Sequence, residues 1–146
     1  MKLLTCIFFT LLLIGFAGGL YGQGFEETKR QAEQANAPAQ LNLGIMYAKG
    51  EGICVNDVEA MRWIGLTAKQ ENIAAQYSLE FMYHQGEGVP QNPVKAYIWD
   101  SVVSAQGEAD ALINRDRVSE ELTPDQRTRE QEITAKCFES DYQNCV

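Results

Sequence analysis

Residues 39–110 decide the fold, because they contain one 36-residue pattern written twice. The first copy, residues 39–74, reads AQLNLGIMYAKGEGICVNDVEAMRWIGLTAKQENIA, and the second, residues 75–110, reads AQYSLEFMYHQGEGVPQNPVKAYIWDSVVSAQGEAD. Laid over each other without a gap, the copies are identical at 13 of 36 positions. A fixed period of this length indicates stacked supersecondary units, each burying its apolar face against its neighbours.

Each copy is predicted to form two helices separated by a short break. The first helix covers 39–49 in one copy and 75–85 in the other, and it is apolar nearly all round, as is typical of a helix buried on more than one side. Gly50 and Gly86 suit the left-handed position that ends a helix. The residues that recur with the period and are expected to hold the stack together are Leu43, Tyr47, Gly50, Gly52, Trp63, Leu79, Tyr83, Gly86, Gly88 and Trp99.

The second helix of each copy has a clear start. Asn56 and Asn92 are good N-cap residues, because an asparagine side-chain oxygen accepts a hydrogen bond from a free N–H in the first helical turn. Pro93 follows at the first helical position, where its missing N–H costs nothing. The sequence therefore predicts an all-α solenoid with full repeats at residues 39–74 and 75–110.

Residues 25–37 look like half of a further repeat, with a helix predicted over Phe25–Asn36. A shift of 36 residues brings three of them, Ala32, Gln34 and Asn36, onto identical residues of the first full copy. A solenoid needs an end repeat with a polar outer face, so this segment is predicted to be an N-terminal cap. The alternative is a generic charged helix unrelated to the repeat.

After the second copy the pattern fades. Arg115 stands at the register position that a leucine holds in both full copies. A new helix is then predicted to start cleanly, with Thr123 as N-cap and Pro124 at the first helical position. Residues 111–146 are therefore expected to form polar C-terminal capping helices.

Residues 1–22 have the features of a secretory signal peptide. Lys2 gives a basic start, Leu3–Phe16 is an apolar run, and small residues follow it. The apolar run is shorter than the roughly 20 residues that span a bilayer, so a retained anchor is the weaker alternative. We predict cleavage between residues 19 and 24, a periplasmic or secreted mature protein, and no stable membrane insertion after cleavage.

Charge and motifs argue against several function classes. The formal net charge is −8, and an acidic chain repels phosphate backbones, so no nucleic acid partner is expected. His84 is the single histidine and lacks an obvious partner, which makes it a poor metal ligand or catalytic base. The sequence holds no His-x-x-x-His, Cys-x-x-Cys, Gly-x-Ser-x-Gly or P-loop pattern. We therefore expect no catalytic residue, metal or cofactor.

Three cysteines follow the predicted signal peptide. In an unbroken helix Cys137 and Cys145 would lie about 12 Å apart, so a disulfide between them requires the helix to end near Ser140. An oxidising compartment favours that bond over free thiols. Cys54 lies in the loop between the two helices of the first repeat and is expected to be a free, partly buried thiol.

The spacing A-x3-LG-x2-Y-x2-G-x-G-x7-A-x2-W resembles that of Sel1-like repeats. The residues that carry it are Ala39, Leu43, Gly44, Tyr47, Gly50, Gly52, Ala60 and Trp63, then Ala75, Leu79, Tyr83, Gly86, Gly88, Ala96 and Trp99. The flanks also look like those of short bacterial members. The resemblance implies an α/α superhelix like that of tetratricopeptide repeats and an adaptor that holds other proteins, and it does not imply an enzyme. Glu80 departs from the pattern by replacing the small Gly44, so we expect either disturbed packing there or Glu80 at an edge.

One face of the two first helices is where function is expected. Residues spaced by four and seven along a helix share a face, and in superhelices that resemble tetratricopeptide repeats this face lines the concave groove. We hypothesise that the groove accepts a peptide or helix of a protein partner. The alternative is that the polar ends of the chain, Phe25–Asn36 and Ile113–Glu121, fold over the groove and bury it. The groove residues are Leu41, Ile45, Tyr77, Phe81 and His84.

Two other functions are kept open by the sequence. One is a small cell-wall-directed hydrolase or a wall-binding protein of the envelope, against which the missing catalytic motifs count. The other is a domain that only stabilises a larger assembly.

Overall fold

The computed structural model describes residues 18–143 and residue 145, and within them the chain forms seven helices and no strand. The apolar core of the predicted signal peptide, Leu3–Phe16, lies outside the described residues. The helices are α1 Gly18–Glu33, α2 Ala37–Lys49, α3 Asp57–Ala68, α4 Ile73–Gln85, α5 Pro93–Ala105, α6 Ala109–Glu121 and α7 Pro124–Glu139.

The helices stack in chain order, which confirms the predicted all-α solenoid. Each helix from α1 to α5 packs against the one that follows it. The last helix breaks this order, because α7 packs on α5 instead of forming a hairpin with α6. The α7 helix therefore caps the second repeat. In the described chain, α6 is not paired with a second helix as α2 and α4 are.

Each first helix starts two residues earlier than the sequence suggested. Asn36 accepts a hydrogen bond from the backbone N–H of Ala39 at 2.9 Å, and Asn72 does the same for Ala75 at 2.9 Å. Both asparagines are therefore N-caps of α2 and α4, whereas the sequence analysis had placed Asn36 at the end of the preceding helix. The preceding turns close at non-glycine residues with left-handed backbone, Ala35 at φ 60° and Glu71 at φ 61°.

The predicted ends of the first helices and caps of the second helices are confirmed. Gly50 and Gly86 have φ values of 73° and 74°, and their N–H groups donate to the carbonyls four residues back, in Met46 and Met82. Side chains with a Cβ rarely adopt this backbone conformation, so glycine is favoured at both places. The caps of α3 and α5 are also as predicted, with Asn56 and Asn92 accepting hydrogen bonds from Glu59 N–H and Lys95 N–H.

The recurring apolar residues form the core. Leu43 and Leu79 are fully buried, and Trp63 and Trp99 lie between stacked helices as expected from the period. Removing such side chains from water is the main favourable term in folding. The recurring tyrosines are less buried, and Tyr47 packs edge-to-face on Phe25 of α1, with ring centres 5.5 Å apart. This contact joins the N-terminal helix to the first repeat.

The C-terminal disulfide is present. The α7 helix ends at Glu139, as the bond requires, and left-handed residues Asp141 and Tyr142 turn the chain back. Cys137 and Cys145 are bonded, with their Cα atoms 4.3 Å apart, and both are buried. The disulfide packs in the same apolar cluster as α4 and α5, so it fastens the tail to the second repeat.

The expectation of a free thiol at Cys54 is wrong. Cys54 is disulfide-bonded, and its residue is exposed rather than partly buried. A loop position leaves the sulfur of Cys54 accessible for oxidation.

Among the described residues, none of the helices has the length and apolar character needed to cross a membrane.

Candidate partner-binding face

The predicted groove residues lie on the first helices of the two repeats. Phe81 is the most open of them, with 48% of its surface exposed, and Leu41, Ile45, Tyr77 and His84 are half-buried. Because Phe81 stays open, the polar ends of the described chain do not bury the centre of this face. The face is therefore accessible, although its residues differ in what they contact.

Tyr77 also contributes to packing. Burial raises the pKa of its hydroxyl, the carboxylates of Glu108 and Asp110 raise it as well, and a hydrogen bond with the backbone of Ala111 opposes them. These groups belong to α6 and to the turn before it, so Tyr77 lies at the contact between α4 and α6. Leu41 is likewise packed against the buried cluster that includes Leu79. Both residues therefore support the stack as well as lining the face.

The terminal repeat helix α6 continues the same row of positions. Ile113 and Arg117 stand one period after Tyr77 and Phe81. Ile113 is 66% exposed, and within the described residues no further helix of this type follows α6 to cover it. The sequence analysis had weighed the segment 113–121 as a cover for the groove, whereas α6 lies alongside α5 and extends the face.

Glu80 is buried beside the face, so the expectation that it lies at an edge is wrong. Gly44 occupies this position in the first repeat, and a Cβ there would lie 2.6 Å from Cγ1 of Ile64. One period later the same two positions hold Glu80 and Asp100, which are 6% and 0% exposed. Asp100 is not among the predicted site residues, although the 36-residue register shows that it replaces an apolar residue.

The carboxyl of Asp100 has an unusual environment. Burial and the neighbouring Glu80 raise its pKa from 3.8 to about 8, against the opposing effect of Arg117 and Arg115. Burial also raises the pKa of Glu80, while His84 and Arg117 lower it. Transfer of a carboxylate from water into a buried site is costly, so the neutral acid is favoured there.

A row of buried glutamines links the repeats, and sequence reasoning gave it no role. Gln40 donates to the carbonyl of Ala32, and Gln76 donates to that of Ala68, both at 3.1 Å. Each acceptor lies near the end of the preceding helix. The signal was available, because Gln40 and Gln76 are among the identical positions and glutamine is seldom buried without hydrogen bonds.

A second concavity lies between α5, α6 and α7. It has a volume of about 660 Å³, and its walls include Tyr97, Arg115, Arg127 and Phe138. It exists because α7 packs on α5 and leaves α6 without a second helix. Its lining is mixed, with arginines from two helices beside apolar rings.

A family model for the Sel1 repeat matches residues 37–72 and 73–99. Two Sel1 repeats form the centre of this chain. The resemblance found in the sequence is thereby confirmed, and the matched segments contain both groove helices, α2 and α4. Sel1 repeats generally serve as scaffolds for protein–protein interaction and are typically not catalytic.

Solved structures show the same fold. A protective antigen present in uropathogenic Escherichia coli strains, which displays an SLR fold, matches with a TM-score of 0.73 and 25% identity over 86% of this chain. A Sel1 repeat protein from Oxalobacter formigenes matches with a TM-score of 0.57 and 30% identity over 67% of this chain. The present chain spans 29% and 44% of the lengths of those two chains. No curated protein matches it.

Proposed function

We propose that this protein is a periplasmic or secreted interaction module that holds a peptide or helix of a partner protein on the face formed by α2, α4 and α6. The general role of Sel1 repeats supports the class of function. The face itself rests on one observation, the open ring of Phe81 at its centre.

An exposed ring at this place favours binding for a physical reason. Exposed large apolar side chains forgo the stabilisation of burial, about 1.5–3 kcal/mol for a phenylalanine. Aromatic residues that become buried on association contribute strongly to interfaces. Ile45 lies one period before Phe81 on α2, and Arg117 lies one period after it on α6. A partner helix laid across the three helices would meet an apolar centre and a cationic end.

The proposed location rests on two features. The chain begins with the pattern of a secretory signal, and the Cys137–Cys145 bond is of the kind that persists in oxidising compartments. One structural neighbour is described as a protective antigen, a property consistent with exposure outside the cytoplasm.

The test is partner capture with a matched pair of variants. Phe81→Ala removes the ring on the proposed face, and Leu66→Ala removes an apolar side chain of similar exposure, 41%, from α3. Immobilised proteins are incubated with envelope extract of the source cells, and retained proteins are quantified by mass spectrometry. We expect wild type and Leu66→Ala to retain the same partner and Phe81→Ala to retain at least tenfold less. Equal retention by both variants would overturn the proposal.

Phe81 is a better target than Tyr77. Because Tyr77 lies at the contact with α6, Tyr77→Ala is expected to destabilise the helix stack. A loss of binding in that variant could then not be distinguished from a loss of folding. Phe81→Ala should leave helical content and melting temperature close to those of wild type, which circular dichroism checks before any capture experiment.

A further inference from the structure

Two buried acidic residues lie near each other between the helices of the second repeat, close enough for the charge of Glu80 to act on Asp100. Glu80 on α4 and Asp100 on α5 occupy the positions of Gly44 and Ile64, where the two helices of the first repeat approach closely. Both oxygens of Asp100 are inaccessible and accept no hydrogen bond from the described residues. A buried carboxylate without partners is strongly disfavoured, whereas a neutral acid beside a second carboxyl is tolerated.

The surrounding charges do not neutralise the pair. From α4 the groups that act on the pair are Tyr77 and His84, and from α6 they are Arg115 and Arg117. Arg115 is held by Asp116 at 2.6 Å, and Arg117 is exposed to solvent. No charged group of α7, which also packs on α5, is among those that act on Asp100.

We propose that Glu80 and Asp100 form a proton-dependent contact, which keeps α4 and α5 closely packed while the pair holds a proton and loosens them once both carboxyls are ionised. The first repeat has no such dependence, because a glycine and an isoleucine fill the same positions. The inference concerns the packing of the second repeat and does not depend on the proposed binding function.

The direction of the effect follows from proton linkage. Asp100 has a pKa of about 8 in the folded chain, against an ordinary value of 3.8, so the folded state binds the proton more tightly. The stability that this adds is fully present below pH 4 and is lost progressively as the pH rises to about 8. Above that pH the aspartate is ionised in both states, and the loss levels off.

The experiment is thermal unfolding of the full chain at intervals from pH 5 to pH 9, for wild type and Asp100→Asn. The asparagine cannot titrate, and all other groups stay in place, so the difference between the two curves isolates the aspartate. We expect the melting temperature of wild type to fall by at least about 5 °C more than that of Asp100→Asn between pH 5 and pH 8. Parallel curves would overturn the proposal.

A second variant keeps the test decisive if a buried amide prevents folding. The double substitution Glu80→Gly and Asp100→Ile rebuilds the contact of the first repeat, so its melting temperature should lose the same pH-dependent component. Hydrogen exchange of wild type, corrected for intrinsic rates, should show protection of α4 and α5 amides falling between pH 7 and pH 9, with no such fall in the double variant. Equal pH dependence of wild type and the double variant would contradict the inference.

Discussion

The side-chain amide of Gln106 donates a hydrogen bond of 2.6 Å to the side-chain oxygen of Gln76, and Gln70 donates one of the same length to Gln40 one repeat earlier. Since Gln76 in turn donates to the carbonyl of Ala68, each glutamine of a first helix joins the second helices before and after it. This row of glutamines ends at α6, where Leu112 occupies the position that Gln40 and Gln76 hold in the two repeats. Hydrogen bonds between a buried glutamine of each first helix and a more exposed glutamine after the following helix thus help to fix the register of the stack.

Removing Gln76 should destabilise the chain substantially. Gln76→Ala removes one partner from the Ala68 carbonyl, which keeps the Glu71 N–H, and one from the Gln106 amide, which keeps the Val102 carbonyl. Loss of a hydrogen bond contributes about 0.5–1.5 kcal/mol, and the buried glutamine stem is lost as well. We expect a loss of about 1–3 kcal/mol in the free energy of unfolding, measured by urea denaturation. Gln85→Ala, at an exposed position of the same helix, should change it by less than about 0.5 kcal/mol. A loss below that of the control would show that the row is not a stabilising element.

Two glycines should respond to alanine in opposite directions. At Gly44 a Cβ would meet Cγ1 of Ile64 at 2.6 Å, whereas at Gly65, inside α3, it would meet nothing within 4 Å. Gly44→Ala should therefore cost about 1–3 kcal/mol through overpacking, and Gly65→Ala should stabilise by about 0.5–1 kcal/mol through helix propensity. Chemical denaturation of the two variants measures both. Similar effects of the same sign would contradict the close approach of α2 and α3.

The turn before each first helix offers a third test. Ala35, Glu71 and Gly107 are one period apart, and all three have left-handed backbone, with φ of 60°, 61° and 94°. Because a Cβ is disfavoured in this conformation, Ala35→Gly should stabilise the chain by up to about 1 kcal/mol, whereas Gly107→Ala should destabilise it by a similar amount. The melting temperatures of the two variants should thus move apart, and a fall for Ala35→Gly would argue against this turn geometry.

Breaking the C-terminal disulfide should loosen the tail. Closing a loop of this length is worth about 2.5 kcal/mol in the chain-entropy estimate, so the double substitution Cys137→Ala and Cys145→Ala should lower the free energy of unfolding by about that amount. Hydrogen exchange should rise first around Gln143, whose side chain donates to the Lys69 carbonyl at 3.2 Å. Unchanged exchange in the tail would mean that packing alone holds it.

The sequence predicted the architecture because its strongest signals are periodic and local. Gly50 ends a helix and Asn56 caps the start of the next one. Both effects depend only on local geometry, and both residues are found where expected. Asn36 was misinterpreted because an asparagine suits either side of a helix boundary. Its neighbour Ala35 did not indicate a turn in the sequence, since alanine rarely adopts the left-handed backbone that closes this turn.

What the sequence could not provide depends on tertiary contacts. The α7 helix packs on α5 and not on α6, and the local sequence pattern does not determine which of these two helices it contacts. Glu80 is buried near Asp100, and the proximity of these two register positions is evident only once the close approach of Gly44 and Ile64 is known. The difference between Tyr77, which also packs, and Phe81, which stays open, likewise arises from the presence of α6.

Photo-crosslinking from position 81 tests the central claim most directly. A photoreactive phenylalanine analogue replaces Phe81 in one variant of the full chain and Leu66 in another, and both are irradiated in living source cells. We predict a discrete covalent adduct with a partner protein from position 81 and none from position 66. Adducts from position 66 alone, or the same adducts from both positions, would contradict the assignment of the binding face to α2, α4 and α6.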